Sequence, residues 1–435
     1  MPDLSHEQIE ENFAELNPLM SAAEAAVESN RCLYCYDAPC TQACPTHIDV
    51  PSFIKKIASG NLTGSARVIF DANPIGATCS RVCPVEVLCE GACVEKTLLH
   101  KPIEIGRLQR FATDHAIDNG KHLLSVAPAN RKSVGIIGSG PAGISCAVYL
   151  ARLGYAVTIY ERKAKPGGLN TYGMAEYKMT QIDSLGEVQL AEKMGVVIRT
   201  LADVGSADLP FDGIVDRHDA VFLAVGLGST NWLNIPGEEL SGVVDALAFI
   251  ERIKSREWHS VPLGRRVAVI GAGNTAIDAV TQAKRLGAER VMLVYRRTEA
   301  EAPAYDYEME LAKKDGVEFH WQTSPTGIVG DGSVSGLRCR HADGSEFTLA
   351  CDQVIKAIGQ ERSGAFFTEV CGVAVDERGR VVVDEMLQTS RLGIFAGGDC
   401  VNGGGEAVEA AQMGKHAAQG IHLALTGETV RFAGA

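Results

Sequence analysis

No stretch of the 435-residue sequence stays apolar for the roughly 18 residues that a membrane-spanning helix requires, so the chain is not expected to cross a membrane. Positive charge is in deficit: 41 Lys and Arg stand against 54 Asp and Glu, a net charge of −13 at pH 7. That balance opposes non-specific attraction to nucleic acid or anionic lipid and leaves room only for a local basic pocket. The opening residues MPDLSHEQIEENF lack both the basic and the apolar stretch of an export signal, and low-complexity segments are missing. A cytoplasmic, globular chain is expected. Its 46% hydrophobic content and its length, at about 150 residues per domain, suit two or three domains with buried cores.

Cysteine is sparse over most of the chain and dense in one part: eight of the 13 lie between Cys32 and Cys93. In a reducing cytoplasm clustered thiols bind metal more often than they pair as disulfides. The first run is Cys32-x2-Cys35-x4-Cys40-x3-Cys44-Pro45 and the second is Cys79-x3-Cys83-Pro84-x4-Cys89-x3-Cys93. In two-cluster ferredoxins three close cysteines hold one four-iron cluster while a fourth, before a proline, reaches across to the other. The same crossing is expected here, with Cys32, Cys35 and Cys40 on one cluster and Cys44 joining the second run on the other. Two zinc sites are the competing chemistry, because Cys-x2-Cys also suits tetrahedral zinc. Zinc would leave the redox nucleotide motifs downstream without a purpose.

Ser5 with Gln8 and Ser21 with Glu24 form capping-box pairs, and Ile9, Phe13 and Leu16 recur at helical spacing. The first thirty residues therefore read as helical. From Cys32 to about Phe111 the chain carries short helical pieces such as residues 50–57 and few β-branched runs, as expected where metal ligation replaces much of a core. After the polar stretch 128–132 an apolar strand begins at Val134, and strands then alternate with helices to the end. The expected fold class is α/β: an all-helical iron–sulfur domain over residues 1–128, then two interleaved Rossmann-like nucleotide-binding domains. One is discontinuous and binds FAD (129–228 and 358–435); the other binds NAD(P)H (229–357).

Two glycine motifs carry that assignment. The first, Gly138-Ser139-Gly140-Pro141-Ala142-Gly143, follows the strand ending at Ile137, opens a helix, and is answered by Glu161 at the end of the next strand. Gly138 permits the tight turn, Gly140 lets the backbone approach a pyrophosphate, Gly143 allows helix-to-strand packing, and Glu161 can accept from a ribose hydroxyl. The second, Gly271-Ala272-Gly273-Asn274-Thr275-Ala276, leads to a strand followed by Arg296 and Arg297 instead of an acid. That pair suits an NADP 2′-phosphate, yet Glu299 and Glu301 beside it oppose further negative charge; NADH and NADPH stand nearly level, with a slight preference for NADH. Near the end, Gly398-Asp399 follows a short apolar strand, and a helix is expected from Glu406, bringing Ala407, Val408 and Glu409 to its first turn. An acid there can bind a ribityl hydroxyl beside a helix N-terminus.

At these residues the chain resembles the flavin and iron–sulfur portion of dihydropyrimidine dehydrogenase, most closely the bacterial NAD-dependent electron-input subunits of that family, over nearly its whole length. The likeness lies in Cys32-Leu-Tyr-Cys-Tyr-Asp-Ala-Pro-Cys40, Asn73-Pro-Ile-Gly-Ala-Thr-Cys79 and Ile105-Gly-Arg-Leu-Gln-Arg-Phe111. It implies one four-iron cluster on Cys32, Cys35, Cys40 and Cys93, and another on Cys44, Cys83, Cys89 and the carbonyl of Gln109, the latter nearer the partner, with Cys79 free of iron. Spacing alone would prefer eight cysteines for eight positions. The likeness also implies that Gly168, Leu169, Lys178 and Val204 lie near FAD and that Ala357-Ile358-Gly359 borders the nicotinamide cofactor. No acid–base or nucleophilic residue is needed, because the cofactors carry the chemistry.

The implied function is electron input from NAD(P)H through FAD and two clusters to an FMN-containing partner subunit that reduces uracil or thymine. The rival family is the small subunit of glutamate synthase, which typically carries an acid in place of Gln109. A zinc-stabilised nucleotide-sensing scaffold is the non-enzyme alternative.

Overall fold

The computed structural model describes residues 4–121 and 123–434. Among them, eight helices precede the first strand. Both capping boxes form, at Ser5 and Ser21. The helix Val50–Ala58 shows how such short pieces hold: Asp49 accepts from the Ser52 amide at 3.1 Å, and Pro51 occupies the first turn, where no donor is needed. Val50, Phe53, Ile54 and Ile57 then bury one face, each worth about 1.5–3 kcal/mol when removed from water.

The strands are β1 (Ser133–Ile137), β2 (Ala156–Tyr160), β3 (Val197–Arg199), β4 (Ala220–Leu223), β5 (Val243–Asp245), β6 (Arg266–Ile270) and β7 (Arg290–Val294). They continue with β8 (Glu318–His320), β9 (Thr323–Asp331), β10 (Ser333–His341), β11 (Glu346–Ala350), β12 (Gln353–Lys356) and β13 (Ile394–Ala396). Two parallel five-stranded sheets result, ordered β13-β4-β1-β2-β3 and β5-β12-β6-β7-β8. Each has the glycine turn after its central strand, at the crevice where doubly wound sheets bind ligands. An antiparallel sheet, β11-β10-β9, is a feature that the sequence reading did not anticipate.

The chain divides into two compact units. One holds 228–361 together with the first residues through Leu16 and the segment Tyr172–Gln181; the other holds the cysteine region, the sheet around β1 and the C-terminal part. The stretch expected to form one helical domain over residues 1–128 is divided, its first residues grouping with 228–361. Ile9 and Phe13 bury themselves among Val261, Ala276 and Ile277, and Phe13 stacks on Trp258 at 4.8 Å. The apolar face of the first helix thus belongs to the second nucleotide unit.

In the other unit, helix Pro141–Arg152 packs closely on helix Ala407–Thr426. Gly414 makes this possible, since a Cβ there would strike the Ala142 carbonyl and stand 2.9 Å from the Cys146 nitrogen. Gly414→Ala is expected to destabilise the protein by about 1–3 kcal/mol through overpacking. Gly213→Ala, whose Cβ would meet only Pro210 at 3.6 Å, is expected to be neutral or stabilising. Urea unfolding of the two variants beside wild type checks the pair.

Candidate redox cofactor sites

Where β1 ends, Gly138 has a φ of 98°, and a Cβ on it would strike the Ala224 carbonyl. Gly140 caps helix Pro141–Arg152 and faces open space, while a Cβ at Gly143 would run into the Gly138 carbonyl. The turn Gly138–Gly143 is therefore tight behind and open in front, the shape an anionic group needs at a helix N-terminus. Glu161, after β2, accepts from the Ser139 hydroxyl at 2.5 Å and the Ser139 amide at 3.1 Å, and its other oxygen accepts from the Lys163 amide at 2.8 Å. Gly168 sits over the same turn, where a Cβ would stand 2.7 Å from Gly140 Cα. Leu169 opens the next helical turn, and Val204 packs with Ile137, Tyr160 and Leu223 at the ends of the sheet strands.

Gly398 brings Asp399 to this turn, since a Cβ on Gly398 would lie 3.1 Å from Ala142 Cβ. Asp399 Oδ1 is buried and has no hydrogen-bond partner among the described residues. Burial pushes the carboxyl up to about 6. An orphaned carboxylate oxygen beside the turn matches a ribityl hydroxyl, so these residues fit a flavin dinucleotide. Ala407 and Val408 begin the following helix. The Glu409 carboxylate accepts from the Glu406 amide at 2.9 Å and closes a capping box, which leaves the backbone of this first turn as what it can offer a ligand.

In the other unit, Gly271 has a φ of 130° and presses against the Ala357 carbonyl. A cavity of about 740 Å³ opens beside it, lined by Ala272, Gly273, Asn274, Thr275, Arg296 and the run Ala357, Ile358 and Gly359. Its size and its helix N-terminus fit a nicotinamide dinucleotide. Arg296 is the charged side chain in the lining, and Arg297 is not part of it. Glu299 pairs with Lys313 at 2.8 Å, and Glu301 accepts from the Thr298 hydroxyl at 2.8 Å. Both acids are thus partly engaged away from the arginines, which weakens the case they made against a 2′-phosphate.

Lys178, placed near FAD by the likeness, is buried and engaged: its ammonium pairs with Asp278 at 2.7 Å and Glu308 at 2.6 Å, and Asp278 also accepts from Tyr177 at 3.0 Å. The two carboxylates outweigh burial and hold the ammonium above its usual range.

Cys32, Cys35, Cys40 and Cys93 line one small cavity. Burial lifts the Cys40 thiol to about 12 and raises Cys32 as well. Cys83 bonds Cys79 and feels the charges of Cys89 and Cys44. Gln109, 7% exposed, donates its amide to the Gly76 carbonyl at 2.7 Å. A carbonyl accepts only from the NH2 side, so this bond turns the glutamine oxygen the other way. Among the described residues no three His, Cys, Asp or Glu side chains converge on a point suited to a single ion.

The sequence reading missed what anchors this region. Helix Gly76–Val82 has Ile75 at its N-cap, which cannot cap. Glu187, 109 residues beyond Thr78, supplies the missing acceptor, taking the Ala77 amide at 2.6 Å, the Thr78 amide at 3.0 Å and the Thr78 hydroxyl. Burial pushes Glu187 up to about 7 against these bonds. Arg81 on the same helix pairs with Asp114 at 2.8 Å and Asp183 at 2.9 Å. The uncapped helix start was the available signal; the distant acid that answers it was not readable.

Two family models match the chain: pyridine nucleotide-disulphide oxidoreductase over residues 132–414, and dihydropyrimidine dehydrogenase domain II, 4Fe-4S cluster, over residues 9–121. The chain is 35% identical to the NAD-dependent dihydropyrimidine dehydrogenase subunit PreT of Escherichia coli K12, covering 95% of this chain and 97% of that protein. It is 32% identical to the glutamate synthase [NADPH] small chain of the same organism, covering 94% and 93%. Thioredoxin reductase of T. acidophilum shares the fold, with a TM-score of 0.54 and 23% identity over 67% of this chain and 98% of that one. No helix among the described residues is long and apolar enough to cross a membrane.

Asp399 yields a test with two arms. Asp399→Ala should weaken FAD binding by about 1.5–3 kcal/mol, the range for a charged hydrogen bond, measured by flavin release. A carboxyl raised to about 6 when folded favours folding below its unfolded value and loses that contribution as pH climbs through 6. Flavin-free Asp399→Asn should therefore melt higher than flavin-free wild type at pH 7, and the gap should close as pH falls toward 4.

Proposed function

Because the chain belongs to the pyridine nucleotide-disulphide oxidoreductase family, with an iron–sulfur domain preceding that fold, we propose that it is the electron-input subunit of a dihydropyrimidine dehydrogenase. It takes electrons from NADH and delivers them to an FMN-containing partner that reduces uracil or thymine to the 5,6-dihydropyrimidine. FAD, when bound, would supply the conversion of two-electron hydride chemistry into single-electron transfer toward the iron–sulfur clusters. The protein's share is to hold, orient and insulate. Gly138–Gly143, Glu161 and Asp399 would hold FAD; Ala272–Thr275 and Ala357–Gly359 would hold the nicotinamide cofactor. The observation that carries the reading is the placement of Gln109, buried with its oxygen turned from Gly76, in a chain whose likeness to PreT covers 95% of its length.

Cys32, Cys35, Cys40 and Cys93 form one proposed ligand set, and Cys44, Cys83, Cys89 and Gln109 the other. Cys79, whose sulfur accepts from Asn73 at 3.1 Å, stays outside both sets, as the family likeness implies. The order of transfer is revised from the family expectation. Gly76, which orients Gln109, opens the helix whose Thr78 hydroxyl accepts from Asn170 at 3.3 Å, two residues after Gly168. The Gln109 set therefore stands toward the flavin. The other set lies among exposed side chains, Leu33, Tyr36, Leu98 and Leu99, which supports it as the exit. The surroundings of Gln109 also weigh against the glutamate synthase reading, in which an acid takes that place.

Anaerobically purified protein should contain one FAD and about eight iron and eight sulfide for two four-iron clusters. Cys40→Ser should lose one cluster, and Cys79→Ser should keep both; iron analysis with electron paramagnetic resonance (EPR) decides, and zinc without acid-labile sulfide would sink the assignment.

With NADH the chain alone should reduce ferricyanide and leave uracil untouched, and addition of the FMN subunit should start uracil reduction. Gln109→Ala should impair the second activity far more than the first. An efficiency at least tenfold greater with NADPH would overturn the choice of NADH, and glutamate formation with a glutamine-hydrolysing partner would move the chain to the rival function.

A further inference from the structure

Lys415 lies within helix Ala407–Thr426 and has no exposed surface, a rare setting for a lysine without a carboxylate. Its Nζ donates to the carbonyls of Thr46 at 3.1 Å, Ala433 at 3.0 Å and Gly434 at 3.5 Å, and it stands 5.7 Å from the centre of the Tyr149 ring. Among the described residues no acidic side chain forms an ion pair with it. Asp71, whose charge reaches it, is already paired with Arg152 at 2.5 Å. Arg152 acts against its charge, and the remaining titratable group that favours it is Cys44. Cys44 Sγ in turn bonds the Thr46 hydroxyl at 3.4 Å, so ammonium, Thr46 and sulfur form one short chain.

Carbonyls and a ring face offset only part of the cost of burying a cation, and the rest calls for negative charge nearby. Three thiolates and a neutral amide leave a four-iron cluster net negative, and each added electron makes it more so. We infer that Lys415 is a built-in counter-charge for the cluster that Cys44 ligates, holding the reduction potential of that cluster up. The inference rests on the assignment of Cys44 as a ligand. Reduction adds one electron, supplied by NADH or by a mediator, and breaks no bond; a fixed positive charge nearby favours the reduced state. The Thr46 hydroxyl, bonded to the ligand sulfur, acts in the same direction.

The test is a mediated redox titration of the holoenzyme, followed by EPR, on wild type, Lys415→Met and Lys415→Arg, with iron and sulfide counted in each. The cluster that survives in Cys40→Ser identifies which signal belongs to Cys44. In Lys415→Met the reduced-to-oxidised ratio of that cluster at a fixed potential should fall about tenfold, which is about 59 mV for a one-electron couple. The other cluster should stay put, and Lys415→Arg should follow wild type. A full iron count with an unmoved potential in Lys415→Met overturns the inference. If Lys415→Met assembles poorly, iron content decides: loss of the Cys44 cluster in Met but not in Arg supports a need for the charge, and loss in both assigns Lys415 to tail packing and overturns it. Wild type without acid-labile sulfide would defeat the ligand assignment first, and the inference with it.

Discussion

Close backbone contact between two helices is the constraint on which the flavin-side unit depends. Because Gly414 has no side chain, helix Ala407–Thr426 can lie against the start of helix Pro141–Arg152, and the Ser145 hydroxyl reaches the Ala411 carbonyl at 2.6 Å. Helix Pro141–Arg152 then carries different duties at its two ends. Its first turn faces the anion-binding opening at Gly140. Further along, the Tyr149 hydroxyl donates to the Asp71 carbonyl at 3.1 Å, and Arg152 pairs with the Asp71 carboxylate. One rigid rod thus sets the distance between the nucleotide turn and the cysteine region, and electron transfer depends on such distances.

Around the cysteines an apolar core and buried polar ties act together. Phe53, Ile54, Ile69, Ile105 and Leu108 belong to a buried cluster against which Cys32, Cys40, Cys44, Cys89 and Cys93 pack, and several loose ends of the short helices are tied by charged groups taken out of water. Glu187 caps one helix, Arg81 joins that helix to the one bearing Gln109 through Asp114, and Glu90 accepts the Gly106 amide at 3.0 Å. Removing one partner of such a dry contact leaves a costly orphan. The cysteine loops are thus held by a small core and by these ties together.

What the sequence made legible was local. Both capping boxes, both glycine turns, the acid after β2 and the grouping of Cys32, Cys35 and Cys40 depend on residues close in the chain or on a rigid motif, whereas Cys93 beside them came from the family likeness. Two features were not legible, each for a physical reason. The first helix joins the distant unit because Phe13 finds Trp258, a pairing that helical spacing cannot announce. The charge of Lys178 is answered by Asp278 and Glu308, whose proximity exists only after the second sheet forms. In both cases the residue type was informative and the partner was set by tertiary structure.

The interleaving of the two units bears on how the chain is made. Residues 228–361, with β5 through β12, are complete in sequence before β13 has been synthesised, and β13 is the edge strand paired with β4. A chain emerging from the ribosome can therefore close the nicotinamide-side sheet while the flavin-side sheet still exposes the β4 edge, and domains generally fold as units in the order they appear. The cysteine region precedes helix Ala407–Thr426 in the chain, so the Lys415 contact to the Thr46 carbonyl can form only once that helix has been made, and the loop bearing Cys44 gains its last tie after the nicotinamide-side sheet can already have closed.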